Sequence, residues 1–338
     1  MWFLEGQSSQ REVIEAARRV LPAAVTVYAS HRQHRPEITG MADQAWREPA
    51  EDAERIPWVL ARAREHGIRV VLAGRAGQLF EPARQQFEAA GIQLVTGALS
   101  LACFERVDDK GLFTAAAQAA GLRCAESIVV ESAEQLQTAI DRLAADGPVC
   151  VKPTHGIYGQ GFWRLEADCD PFACFANPDA RRVHAPAFVE AYARARKLKP
   201  QLVMRYLAGE ECSVDMVCEA GTVVAWVARR KAGTVQRLER ESPAVDLALA
   251  AAAYFGCDGI VNVQTREDAE GLPHLLEINL RPSGGIGYTA LAGINLPGIF
   301  ATRRLGLPEP VSAWRDGVTV KAITTPVALP PATQELHG

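Results

Sequence analysis

Nowhere in this sequence does an apolar run approach the ~20 residues that a membrane-spanning helix requires. Basic blocks and stripes are also missing, and the 338 residues carry a net charge of −4, which sets nucleic acid aside as the main partner. The start, MWFLEGQSSQREVIEAARRV, lacks a basic segment followed by an apolar core, so no signal peptide is expected and the cytoplasm is the default compartment. Eight cysteines are present, yet no two form a C-x-x-C pair, so reduced and mostly buried thiols are expected rather than a disulfide framework. His31 and His34 share one loop with no third ligand nearby, which favours a polar loop over a metal centre. Two nucleotide signatures are absent as well. The first strand–helix turn reads EGQSSQ rather than G-x-G-x-x-G, and no G-K-[ST] closes a glycine-rich loop, which removes the dinucleotide fingerprint and Walker A.

What remains is the composition of an ordinary globular protein, 48% hydrophobic and 22% charged, long enough for two or three domains or subdomains. The first hundred residues alternate strand and helix. WFLE, AAVTVYAS, IRVVLAG and IQLVTG read as strands; SSQREVIEAARRV (capped by Ser8 or Ser9), EDAERIPWVLARAREHG and QLFEPARQQFEAAG read as helices. That rhythm predicts a parallel sheet covered by helices. DDKGLFTAAAQAAGL follows as a helix capped by Asp108 or Asp109, then the strand ESIVV and the helix SAEQLQTAIDRLAADG. From about residue 200 the chain is strand-rich: QLVMRYL, ECSVDMVCEAG and TVVAWVARRK, then the helix SPAVDLALAAAAYFG and the strands IVNVQTRE and HLLEINLRP. No internal repeat is visible, and LPPATQELHG reads as a loose tail.

Three stretches carry chemistry. In VCVKPTHGIYGQGFWRL an apolar strand ends on Lys152 and is followed by Gly156, Gly159 and Gly161. Glycines let main-chain amides approach an anion closely, and a lysine at the strand end can reach the same anion; an ordinary hairpin with a surface lysine is the competing reading. In HLLEINLRPSGG, strand alternation puts Glu277, Asn279 and Arg281 on one face and Ile278 and Leu280 on the other. GIVNVQTRE, joined to it through EDAEGLP, places Asn262 and Gln264 on one face by the same rule. A carboxylate with amide oxygens suits a hard divalent cation such as Mg²⁺, with Arg281 as a partner for anionic oxygens, against the alternative of a solvated face with a Glu–Arg pair. Arg229, Arg230 and Lys231 in ARRK end a further strand and taken alone read as a solvated strand end.

In this order and spacing, the pieces DDK, CVKPTHGIYGQGF, VMRYLAGEECSVD, NVQ and LEINLRPSGG closely resemble the ATP-grasp superfamily, in its carbamoyl-phosphate synthase and biotin carboxylase branch of carboxylate–amine ligases. The resemblance covers residues 1 to 300. It implies a fold of mixed α/β and α+β class: a parallel α/β pre-ATP-grasp domain over residues 1–108, then a two-lobed ATP-grasp domain over 109–338 with a glycine-rich lid at about 122–205. It gives Lys110 and Lys152 to the nucleotide phosphates and Gly156, Gly159 and Gly161 to the phosphate flap. Met204, Arg205, Tyr206 and Leu207 match the segment that reads adenine, although relatives often carry glutamate where Met204 stands. Glu211, or Glu210 in a shifted register, matches the ribose carboxylate. Gln264, Glu277 and Asn279 match the metal set, Arg281 the group near the transferred phosphoryl, and Arg229, Arg230 and Lys231 are candidates for the γ-phosphate or the acid. The implied cofactors are ATP and Mg²⁺, with Mn²⁺ as an alternative ion. The implied reaction phosphorylates a small carboxylic acid and couples it to an amine. Carboxyphosphate formation from bicarbonate, or an ATP-binding regulatory protein without turnover, are the alternatives. Partners are small-molecule carboxylate and amine, with neither nucleic acid nor membrane, and a homodimer is compatible. The flap wording GIYGQGF also resembles small ATP-grasp proteins of tellurite-resistance-type biosynthetic clusters.

Overall fold

The computed structural model describes residues 1–7, 9–156, 159–326 and 328. The chain divides into two compact units. The first comprises residues 1–104, 212–264 and 278–338; the second comprises 105–211 and 265–277. The N-terminal hundred residues therefore share a unit with most of the C-terminal half, and the stretch expected as a lid lies wholly in the second unit.

The first unit begins with β1 (Trp2–Phe3), α1 (Gln10–Arg18), β2 (Tyr28–His31), β3 (Gln44–Arg47), α2 (Asp52–Glu65), β4 (Val70–Leu72) and β5 (Gln93–Val95). All pairings are parallel, in the order β3-β2-β1-β4-β5. Alternation divides the apolar residues between two cores. Trp2, Leu4 and Val71 pack with Val59, Phe80 and Phe87, whereas Phe3 and Leu72 pack with Val13, Ile14 and Ala17 of α1. Helix α1 shows the predicted burial at helical spacing, but Ser9 at its cap makes no side-chain bond. Gln10 accepts from the Gly6 amide instead, and Ser8 lies outside the described residues. The edge strand β3 was not expected, because QAWR is largely exposed and shows no apolar alternation. The expected single helix QLFEPARQQFEAAG is broken into Gly77–Phe80, a 3₁₀ turn at Glu81–Ala83, and Arg84–Ala89. Pro82 supplies no amide hydrogen there, and the buried Glu81 carboxylate is tied to Arg84 and to the Thr96 hydroxyl.

The second unit begins within α3 (Leu101–Asp108), a helix not read from sequence, and continues with α4 (Lys110–Ala119), capped by Asp109, whose carboxylate accepts from the Leu112 amide at 2.8 Å. Then come β6 (Ser127–Val130), α5 (Ala133–Ala144), β7 (Val149–Pro153), β8 (Trp163–Glu166), β9 (Arg182–His184), α6 (Ala185–Ala193) and β10 (Gln201–Arg205). The sheet order is β6-β10-β7-β8-β9. Val149, Val151 and Val203 turn to a core with Leu136, Ile140 and Leu143 of α5. Cys150, Leu202 and Met204 turn to the opposite face, and Lys152 shares it by the period of two.

The chain returns to the first unit with β11 (Glu211–Glu219), β12 (Thr222–Ala232), β13 (Val235–Glu239), α7 (Pro243–Tyr254), β14 (Gly259–Glu267), β15 (Pro273–Asn279), α8 (Leu296–Leu305) and β16 (Thr319–Val320). The sheet order is β15-β14-β11-β12-β13-β16. Val217, Val227, Ile260, Leu296 and Phe300 enter the same core as Phe3 and α1, which fuses this sheet and the N-terminal one into one unit. β14 and β15 cross the boundary between the units, since residues 265–277 belong to the second. The tail LPPATQELHG lies outside the described residues.

Candidate functional site

The most distinctive charge cluster of the second unit is built on β7 and the start of α4. Lys152 stands on β7 opposite Leu202 of β10 and is half-buried. Burial lowers its ammonium pKa; Glu277 opposes that shift, and the neighbouring Lys110 adds to it by repulsion. Lys110, the first residue of α4, donates from Nζ to the Gly156 carbonyl at 2.9 Å and to the Thr154 carbonyl at 3.4 Å, while its amide also reaches Thr154. It thereby pins the root of the glycine-rich segment. Two ammoniums close enough to repel, with one carboxylate acting on Lys152, suit a polyanion.

The glycine-rich segment joins β7 to β8, and Ile157 and Tyr158 within it lie outside the described residues. Gly156, Gly159 and Gly161 all have positive φ, of 151°, 64° and 73°. At Gly161 a Cβ would stand 2.7 Å from Pro153 Cγ, so this turn requires glycine twice over.

The expected adenine segment closes β10. Met204 and Leu207 are buried with Cys150, Leu202 and Leu276. Arg205 is exposed and donates to the Asp146 carbonyl, and the Tyr206 amide donates to the Pro148 carbonyl at 2.7 Å. The Tyr206 ring has the Arg164 guanidinium 4.9 Å and the Arg266 guanidinium 5.5 Å from its centroid. The Arg164 Nε also stands 3.2 Å from the Glu166 carboxylate, while the buried Arg266 Nε has no hydrogen-bond partner among the described residues, a feature that sequence reading did not single out. Cys150 and Cys124, near Lys152, are pushed by burial to about 12 and about 11, so both are thiols at neutral pH. Glu211 opens β11, and the Glu210 carbonyl accepts from the Glu267 amide.

In the first unit, Gln264 of β14 donates from Nε2 to Asn262 Oδ1 at 3.4 Å. Asn262 donates in turn to Ser213 Oγ at 2.9 Å and to Asp215 Oδ1 at 3.0 Å. Asn262, Ser213 and Asp215 are buried and Gln264 half-buried, and the relay uses the amide nitrogen of Gln264 rather than its oxygen. Glu277 and Asn279 share a face of β15, which neighbours β14 in the sheet. A carboxylate and amide oxygens are hard donors of the kind that suit Mg²⁺ better than a transition metal. Among the described residues no group of three or more His, Cys, Asp or Glu is placed to hold a metal ion.

The ARRK group behaves differently from a solvated strand end. Arg229 is 4% exposed and saturated: Nε meets Asp215 at 2.7 Å, Nη1 meets Gln236 at 2.8 Å, and Nη2 meets Ser213 and Ser283 at 2.9 Å. Arg230 is held by both oxygens of Glu239 at 3.0 Å. Lys231 is exposed. Arg281 donates to the Pro282 carbonyl and lines a small cavity at the ends of β1 and β4. The Asp215–Arg229–Asn262 network was invisible in the sequence, because its members come from three strands.

Comparison with solved structures places this architecture among ATP-grasp proteins. An N5-carboxyaminoimidazole ribonucleotide synthetase in its ADP complex superposes with a TM-score of 0.66 at 17% identity, covering 93% of this chain and 78% of the other. The biotin carboxylase domain of the Hydrogenobacter thermophilus 2-oxoglutarate carboxylase, with MgADP and bicarbonate, gives 0.64 at 15%, covering 94% and 73%. An L-amino acid ligase from Bacillus licheniformis gives 0.60 at 16%, covering 91% and 74%. At these identities the likeness is one of fold, and the fold is ATP-grasp. More particularly, residues 197–326 match the family model described as "ATP-grasp in the biosynthetic pathway with Ter operon". No curated protein matches the sequence. No helix among the described residues is long and apolar enough to cross a membrane.

Proposed function

We propose that this chain is an ATP- and Mg²⁺-dependent ligase that activates a small carboxylic acid as an acyl phosphate and couples it to an amine. The observation that carries this reading is the Lys110–Lys152 pair at the root of a glycine-rich segment whose three glycines all take positive φ. It is a site made for phosphates in an ATP-grasp fold.

In this reading Lys110 and Lys152 bind the polyphosphate, and the glycine amides close over it and exclude water. Tyr206 and its neighbours on β10 form a wall for the base, and Glu211 takes the ribose. Gln264, Glu277 and Asn279 would hold the metal, which supplies charge neutralisation to the transferring phosphoryl group. Arg281 attends the same group, with Arg230 and Lys231 in reserve for the γ-phosphate or the acid. The substrate carboxylate attacks the γ-phosphorus and ADP departs. The amine nitrogen then attacks the acyl carbon, the carbon–oxygen bond to phosphate breaks, and the nitrogen loses its proton to solvent. No protein nucleophile is needed, because positioning and electrostatics carry phosphoryl transfer. The lysines, main-chain amides and arginines of this chain supply both.

The test is ADP release across a panel of acids and amines, with Glu277→Ala as the control. Acid- and amine-dependent release that vanishes in Glu277→Ala or on chelation is expected. Wild-type release in that variant would reject the metal set, and ATP binding with no stimulated release would leave a nucleotide-binding module. A second reading, carboxyphosphate formation, is favoured by the likeness to a carboxylase domain whose structure contains bicarbonate. Bicarbonate belongs in the panel for that reason.

A further inference from the structure

Behind Gln264 the buried relay fixes which end of its amide is engaged. The anchor is the ion pair between Asp215 of β11 and Arg229 of β12, at 2.7 Å, with both side chains buried. A carboxylate paired with a guanidinium offers only acceptors. Asn262 of β14 is also fully buried, and its amide nitrogen lies 3.0 Å from Asp215 Oδ1. The reverse orientation would set the Asn262 oxygen against the carboxylate and leave a buried donor without its acceptor. The same nitrogen reaches Ser213 Oγ at 2.9 Å, and that hydroxyl also accepts from Arg229 Nη2 at 2.9 Å. Both hydrogens of Asn262 Nδ2 are thereby used, and its Oδ1 is turned the other way.

Gln264 stands two residues on, on the same face of β14. Its amide meets Asn262 Oδ1 at 3.4 Å. A carbonyl oxygen only accepts, so Gln264 answers with Nε2, and Oε1 is the end that the relay does not engage. Orientation passes in this way from one buried charge through two neutral amides. The guanidinium at its origin also donates to Ser283 Oγ at 2.9 Å, and a Cβ on Gly285 would stand 2.4 Å from its Nη1. One arginine therefore registers β14 together with the segment that follows Arg281.

We infer that Asn262 is a positioning residue, which holds the Gln264 amide with Oε1 toward the divalent cation and prevents the flip that would present an NH₂ group instead. This rests on the reading of Gln264 as a metal ligand. The two ends of a primary amide are alike in shape but opposite in polarity, so an unguided glutamine can face a cation the wrong way. A carboxylate has an oxygen on either arm and needs no guide. Groups that orient a metal's ligands are worth about 10- to 100-fold in metal affinity.

Calorimetry of the full chain with the non-hydrolysable analogue AMP-PNP, in Mg²⁺ and in EDTA, reads the metal-dependent gain in affinity without turnover. Asn262→Leu, close to asparagine in volume, should cut that gain about tenfold or more and leave the affinity in EDTA at its wild-type value. In a Gln264→Glu background the same substitution should cut nothing. A gain unchanged in Asn262→Leu would overturn the inference. So would a loss that persists beside Gln264→Glu, since Asn262 would then support the strand rather than the amide. Should the leucine variant not melt cooperatively, Asn262→Ala runs the same cycle. Gln264→Ala separates this inference from the reading beneath it. If Gln264→Ala lowers the gain and Asn262→Leu does not, only the positioning role falls. If Gln264→Ala changes nothing, the metal assignment falls and the positioning role with it.

Discussion

Replacing Lys152 with methionine separates two roles that a phosphate-binding lysine combines. The substitution keeps the unbranched apolar stem and removes the ammonium. In the unliganded protein that ammonium is a liability: burial and Lys110 lower its pKa, and Glu277 only partly compensates. With the folded-state value depressed, the unfolded chain binds more protons as pH climbs toward the ordinary lysine value near ~10.5. Wild-type stability should therefore rise through that window, and Lys152→Met should flatten the rise. At pH 7 the variant's melting temperature is expected at or above wild type. With nucleotide the sign reverses. An ammonium at ~4 Å from a phosphate oxygen attracts it by about 4 kcal/mol at an effective dielectric of ~20, and desolvation reduces that to roughly 1.5–3 kcal/mol. ATP affinity should then fall by about 10- to 100-fold. Calorimetry with ATP and thermal melts across pH measure the two effects on one preparation. Unchanged ATP affinity together with a melting temperature several degrees lower would show that Lys152 is a packing residue and would refute the reasoning.

Asp215→Ala leaves the Arg229 guanidinium buried against neutral partners and should cost about 3–5 kcal/mol; a urea-unfolding loss below about 1 kcal/mol would contradict that account. Gly161→Ala forces a Cβ against Pro153 at positive φ, so the urea midpoint should fall, by about 1 kcal/mol or more in stability, and ADP release should drop several-fold. Equal activity would show that the turn tolerates a side chain. Cys150 and Cys124, with thiols raised to about 12 and about 11, should resist iodoacetamide at pH 8 in the folded protein and react on unfolding. Mass spectrometry reads the difference, and rapid native alkylation of Cys150 would refute its burial.

Much of the local placement was legible in the sequence because it obeys local rules. A period of two put Lys152 on the Cys150 face of β7 and Glu277 with Asn279 on one face of β15. Punctuation by glycine marked the turn after β7, and the positive φ values there show the same requirement in the backbone. Local pattern failed where neighbours in space decide. The exposed strand β3 forms because β2 offers its edge, and the helix after Gly77 breaks at Pro82, where Glu81 turns inward to Arg84 and Thr96.

The sequence by itself determined which residue types stand at each strand end and on which face. Only the tertiary structure decided which charges are committed and to which partners. Arg229 and Arg230 read alike in ARRK, yet one is sealed among Asp215, Ser213, Gln236 and Ser283 and the other is clasped by Glu239. The reason is electrostatic. A buried guanidinium must find its carboxylate wherever the fold brings one, and such partners lie on other strands, beyond the reach of any sequence period.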